Sequence, residues 1–125
     1  MDCMKEISIT LSMPHAHLSP NSRCHWAQKS KAKKAQRLLA STLIYCGLRE
    51  KRPLWTSANV QITVTPPDAR RRDKDNLLAS LKAAFDGAQD AGLIADDSGL
   101  TYLPITIQAP DKHNAGVRLT FTKTK

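Results

Sequence analysis

The chain has 125 residues, room for one domain with one core. Nineteen Lys and Arg against eleven Asp and Glu leave a net charge of +8, which favours an anionic partner, nucleic acid first. Cys3, Cys24 and Cys46 are odd in number and contain no CxxC pair, and no apolar run approaches the roughly 20 residues that span a bilayer, so a disulfide scaffold and a membrane span are excluded.

Residues 5–13 alternate, with Ile7, Ile9, Leu11 and Met13 on one side and Ser8, Thr10 and Ser12 on the other, the pattern of a half-buried strand. Residues 14–25 carry two prolines, Asn21 and Ser22, and read as a loop. From about Trp26 to Cys46 the period becomes helical. Ala35, Leu38, Leu39 and Leu43 supply the apolar face, Lys29, Lys33, Lys34 and Arg37 lie on other faces, and Gly47 is the expected terminator. Residues 57–65 alternate again through Val60, Ile62 and Val64, and Pro66-Pro67-Asp68 ends that strand. A second helix is predicted from about Lys74 to Ala91, ending at Gly92, with Leu78, Leu81, Phe85 and Ala88 inward. Strands near 101–109 and 117–123 follow, joined by a turn at Asp111, Asn114 and Gly116. The order β-α-β-α-β-β, with one apolar face per element, predicts a two-layer α+β domain: a mixed sheet with both helices on one face.

Seven of the eleven acids fall between Asp68 and Asp97, inside a basic chain. Basic surfaces attract phosphate and carboxylates repel it, so the two side by side imply a cation between them. On one continuous helix from Lys74, Lys82 and Asp86 each lie within about 20° of the line through Asp75. Asp73 precedes that helix, and after Gly92 the chain can return Asp96-Asp97 towards it. Mg²⁺ prefers oxygen ligands and keeps several waters, so two or three carboxylates and a substrate phosphate suffice. Asp73, Asp75 and Asp97 are the candidate metal ligands, and Lys82 is the candidate electrostatic catalyst. The same residues also admit a structural reading. Asp73 or Asp75 can serve as N-caps, Lys82 and Asp86 as an i,i+4 surface pair, and Asp96-Asp97 as a solvated turn.

Taken together, Pro67-Asp68, Arg70 to Arg72, Asp73-Lys74-Asp75-Asn76-Leu77, Lys82 to Gly87, Ala91 to Ile94 and Asp96-Asp97 resemble the signature of the RusA family of Holliday-junction resolvases. Leu18 to Trp26 also resembles that family's N-terminal loop and first helix start. The resemblance implies a homodimeric, Mg²⁺-dependent endonuclease, with Mn²⁺ able to substitute, that cuts four-way DNA junctions by paired nicks. It implies Asp73, Asp75 and Asp97 as essential acids and Lys82 as essential lysine. It also points to a bacterial cytoplasm and a phage or prophage origin, consistent with the reducing compartment that the cysteines and the lack of a visible leader suggest. One departure stands out. The family's best-known branch places the lysine four residues after the second motif aspartate, where this chain has Ala79; Lys82 comes seven residues after Asp75. Four and seven residues both stay within about 40° of one helix line, so the lysine keeps its face one turn further on.

Nine basic residues and one acid lie between Arg23 and Arg52. As a set, with Lys29, Lys33, Lys34 and Arg37 foremost, they are candidate phosphate contacts; Arg70, Arg71 and Arg72 adjoin the acids and are better placed. His15, His17, His25 and Cys24 match no common zinc spacing. Trp26, Trp55 and Tyr102 are expected to pack in the core or against a helix start rather than stack on bases. The expected function is resolution of DNA junctions. The alternatives are a nuclease acting on branched DNA generally and a non-catalytic basic module that binds DNA or RNA.

Overall fold

Side-chain alternation in the strands decides the architecture. In a computed structural model that describes residues 5–19, 23, 25–49 and 51–124, β1 is Glu6–Leu11 and α1 is Trp26–Leu48. β2 is Ala58–Thr65, α2 is Lys74–Ala79 and α3 is Lys82–Asp90. Two short strands, β3 (Leu100–Tyr102) and β4 (Thr106–Ile107), precede β5 (Gly116–Lys123). The sheet order is β1-β5-β2-β3, with β4 also on β2. β5 is antiparallel to β1 and β2, whereas β3 and β4 run parallel to β2. The register aligns Ile7–Phe121–Val60, Ile9–Leu119–Ile62 and Leu11–Val117–Val64 in three rows across the sheet. All nine side chains are buried beneath the helices. The other face carries Ser8, Thr10, Gln61, Thr63, Thr120 and Thr122, so the domain is the expected two-layer α+β fold.

The strand expected over 101–109 is two pieces. Pro104 lies between them, lacks a ladder donor, and is bypassed while Leu103 N donates to Val60 O. A 3-10 turn at Ala16–Leu18 interrupts the loop expected over 14–25 and buries Leu18. Pro20 to Ser22 and Cys24 lie outside the described residues, as does Cys3. Cys46 is a free, exposed thiol.

The inward face of α1 differs from the apolar stripe read from its sequence. Gln36, Ala40, Ile44 and Leu48 are buried, Leu43 partly so, while Leu38 (68%) and Leu39 (44%) are exposed. Close approach of α3 is the reason. A Cβ on Gly87 would lie 2.6 Å from Arg37 O and 2.9 Å from Ser41 N, so the helix backbones nearly touch. A leucine at the Ala40 position would hold them apart. Gly47 does not end α1 either. Arg49 in the left-handed conformation does, and Gly47 admits Ile7, whose Cδ1 would be 2.8 Å from an added Cβ. Trp26, expected to be packed, is 75% exposed, with the His25 ring as its aromatic neighbour; Trp55 is buried as expected.

The predicted second helix is broken. After α2 the backbone tightens, Leu81 N donating to Leu78 O and Ala84 N to Leu81 O, each three residues back. Gln36 fills the gap from α1. Its Nε2 donates to Ser80 O at 2.9 Å, and its Oε1 accepts from Ala84 N at 3.0 Å. α3 then ends as predicted at Gly92 (φ 85°), where Leu93 N donates to Ala88 O and Gly92 N to Gln89 O, satisfying the last turn's carbonyls.

Gln36→Met keeps the side chain's length and removes both amide bonds, so the buried Ser80 carbonyl loses its donor while Ala84 N keeps only its bond to Leu81 O. The expected cost is about 1–3 kcal/mol. Denaturant unfolding should show a lower midpoint at unchanged slope, with faster hydrogen exchange at Ala84 N–H; an unshifted midpoint counts against the role given to Gln36.

Candidate functional site

The acidic segment begins in the loop that leaves β2. Asp68 Oδ1 accepts from Arg70 N at 3.0 Å, Arg70 Nε at 3.3 Å and Arg72 Nη2 at 3.0 Å. Arg72 Nη1 also donates to the carbonyls of Asp68 and Arg70, and only 15% of the Arg72 side chain is exposed. Arg72 is therefore a strut that shapes the loop. Arg70 is shared between Asp68 and solvent. Arg71 is exposed and belongs to none of the ion pairs among the described residues, which join Arg37 to Asp90 and Arg70 and Arg72 to Asp68. The Arg70 backbone and side-chain bonds, ahead of the bond from Arg72, hold the Asp68 carboxyl down at about 2 against burial.

Asp73 has extended backbone (φ −80°, ψ 123°) and caps α2, its Oδ1 accepting from Asp75 N at 2.8 Å and Asn76 N at 3.4 Å. The capping role foreseen for it is thus realised. Both bonds end on one oxygen, which leaves Oδ2 for a cation. Asp75 is exposed in the first turn, where the positive end of the helix favours it. A cleft of about 210 Å³ beside Asp73 is walled by Met13, Pro14, His15, Arg72 and Asn76.

Lys82 opens α3 and is exposed. It is in no ion pair with Asp86. The break at Ser80–Leu81 means that the stripe drawn through Asp75, Lys82 and Asp86 on one continuous helix is two segments. Arg37, expected at DNA, instead grips Asp90 with two bonds of 2.5 and 2.8 Å, which tie α1 to α3 and lower the Asp90 carboxyl. Lys33 and Lys34 stay exposed on α1 and Lys29 half-buried.

Asp97 opens a 3-10 turn, Asp97–Gly99, that leads into β3. The neighbouring Asp96 accepts from Ser98 Oγ, which lowers its carboxyl. Asp97 itself is exposed. The parallel register sets Leu100 beside Ala58, the first residue of β2, while Asp73 and Asp75 follow that strand's far end. Parallel neighbours require the chain to travel the full strand length before re-entering the sheet. Asp73 and Asp75 therefore follow the end of β2, whereas Asp97 precedes the strand that enters the sheet beside its start. Among the described residues Asp73, Asp75 and Asp97 do not form a three-residue group able to hold a metal ion. The charges of Asp97 and Asp86 both act on the Tyr102 phenol.

Among the described residues no three His, Cys, Asp or Glu side chains form a group able to hold a metal ion. The donor chemistry still suits Mg²⁺: exposed carboxylate oxygens, few per end, of the kind that substrate phosphates and water complete. Tyr102, expected to pack in the core or against a helix start, packs its ring on Phe85 while remaining 41% exposed. Its place at the end of a short strand following the Asp96-Asp97 turn was the available signal.

The Asp68 carboxyl should titrate near 2 by NMR, and Arg70→Ala should move its midpoint up towards the ordinary 3.8. Because the folded value is depressed, the loop's hold on Asp68 is complete above the ordinary carboxylate range and is lost as pH falls through about 2. A midpoint already at 3.8 in the unaltered protein would refute the hydrogen-bonded loop.

The chain matches no protein-family model. An uncharacterized protein of Xylella fastidiosa (strain Temecula1 / ATCC 700964) is 35% identical over 119 residues, covering 92% of this chain and 75% of that protein. The chain belongs to the same family as this Xylella protein.

Proposed function

We propose that the protein is a Mg²⁺-dependent endonuclease of the RusA type that cuts branched DNA, four-way junctions above all. The observation that carries this reading is electrostatic. In a chain with nineteen Lys and Arg, Asp73, Asp75 and Asp97 are all exposed and, among the described residues, none is in an ion pair, although Asp68 and Asp90 are. Acids left uncompensated on a basic protein are suited to a cation that arrives with a phosphate.

Asp73 Oδ2 and the Asp75 carboxylate supply hard oxygen ligands at the start of α2. Because Asp73, Asp75 and Asp97 form no metal-holding group among the described residues, a shared ion needs a second copy: Asp73 and Asp75 of one protomer with the partner's Asp97. When bound, Mg²⁺ polarises a phosphoryl oxygen and activates water for in-line attack. Lys82, exposed and in none of the ion pairs among the described residues, offsets charge developing on the leaving oxygen. Arg71, Lys33, Lys34 and Lys29 hold the backbone through salt-sensitive phosphate contacts.

The cap bonds of Asp73 favour a second reading, a non-catalytic nucleic-acid-binding module in which the acids only shape loops. Labelled four-way junction, linear duplex and single strand, each with Mg²⁺ or with chelator, separate the two. Paired metal-dependent nicks in the junction support the enzyme; mobility shifts without cuts support the module.

Asp75→Asn should bind junction as the unaltered protein does while cleavage falls by on the order of 10²–10³. Retained Mg²⁺-dependent cutting would remove Asp75 from the mechanism. Asp75→Asn and Asp97→Asn, each inactive alone, should regain activity when unfolded together and refolded. Statistical pairing leaves about a quarter of the sites intact if each site spans two protomers. No recovery on mixing would place each site within a single chain.

A further inference from the structure

Tyr102 ends β3 beside Val60, in the cross-sheet row that also holds Phe121 and Ile7. That row faces the helices, so the Tyr102 ring leaves the sheet on the helix side. It packs on Phe85 with ring centroids 5.1 Å apart, and Phe85 meets Phe121 edge-on at 6.5 Å. Phe85 and Phe121 are buried, whereas Tyr102 is not. The ring is thus anchored to the core on one side and open to solvent on the other. Asp86 follows Phe85 in α3, and Asp97 sits in the turn that feeds β3. Burial, then the charges of Asp97 and Asp86, push the phenol's ionisation upward.

We propose that Tyr102 is a substrate-contacting residue of this site, its hydroxyl donating a hydrogen bond to a phosphate oxygen of the DNA strand held at Asp97; the inference rests on the nuclease reading above. Carboxylates and phosphates both only accept hydrogen bonds. Where a strand lies against Asp97 and Asp86, the oxygens that no cation reaches therefore face other acceptors. A phenol supplies the missing donor without charge, so it does not pair with the carboxylates as a lysine would. Anchoring by Phe85 fixes the ring before the substrate arrives, which limits the ordering cost of the contact.

Tyr102→Phe removes the donor and keeps the ring, so its thermal midpoint should equal that of the unaltered protein. Single-turnover cleavage of a four-way junction in Mg²⁺ should slow by about tenfold or more, the size of one hydrogen bond to a charged group. Junctions carrying one neutral methylphosphonate at successive positions flanking the cut locate the acceptor. At one position the unaltered protein and Tyr102→Phe should cut equally fast, a result that a purely structural role does not produce. If the unaltered protein cuts and Tyr102→Phe cuts as fast on unmodified DNA, or if its deficit persists at every methylphosphonate position, the inference is overturned while the nuclease reading stands. If the unaltered protein makes no Mg²⁺-dependent cut in any branched DNA, both fall.

Discussion

The side chain of Gln36 occupies the break between α2 and α3, and the placement of the acidic residues depends on it. A helix that stops and restarts within a few residues loses its regular backbone partners: Ala84 N reaches only Leu81 O within the segment, and Ser80 O turns to a side chain. Gln36 carries one donor and one acceptor at the spacing needed to satisfy both. Among the described residues no buried side-chain polar atom lacks a partner. With the break stabilised, α2 can aim its acidic start outward while α3 lies against α1 at Gly87. Ala40 and Gln36 face inward, and leucines 38 and 39 remain outside, as a consequence of that close contact rather than of local hydrophobicity.

Electrostatics divides the charged residues into two classes that composition cannot separate. Arg72 with Asp68, and Arg37 with Asp90, are spent on shaping a loop and joining two helices. Such exposed pairs contribute little stability individually, yet they fix geometry and withdraw both charges from any partner. Among the described residues Asp73, Asp75, Asp97, Lys82 and Arg71 stay outside these pairs, as do Asp86, Asp96, Asp111 and most lysines, and remain available to a ligand. The acids divide further by position. The parallel pairing of β2 with β3 sends the chain along the whole strand before it returns, so the motif that is compact in sequence is divided between residues following the end of β2 and residues preceding β3. That division makes a second protomer part of the proposed chemistry.

Much of the fold was legible because its signals are local. Period-two alternation gave β1, β2 and β5 within a residue or two, and Gly92 ended its helix where the left-handed conformation demanded it. The acidic cluster and its basic surroundings were visible as composition alone. The break at Ser80 carried no such mark: nothing in Leu78-Ala79-Ser80-Leu81 forbids a helix, and the partner that makes the break tolerable lies more than forty positions earlier. The partial exposure of Tyr102 was hidden for a similar reason. Its neighbours in sequence suit a buried strand, but only the sheet order shows that β3 is an edge.

The amino-acid sequence by itself determined which segments form strands and helices, the two-layer α+β class, and the gathering of carboxylates into a basic chain, since these follow from side-chain period, turn chemistry and charge count. The tertiary structure alone decided which face of α1 turns inward, where the second helix breaks, which arginines are already paired, and that the strand carrying Tyr102 enters the sheet parallel to β2. These depend on contacts between residues far apart in the chain, where backbone approach and strand direction outweigh any local preference.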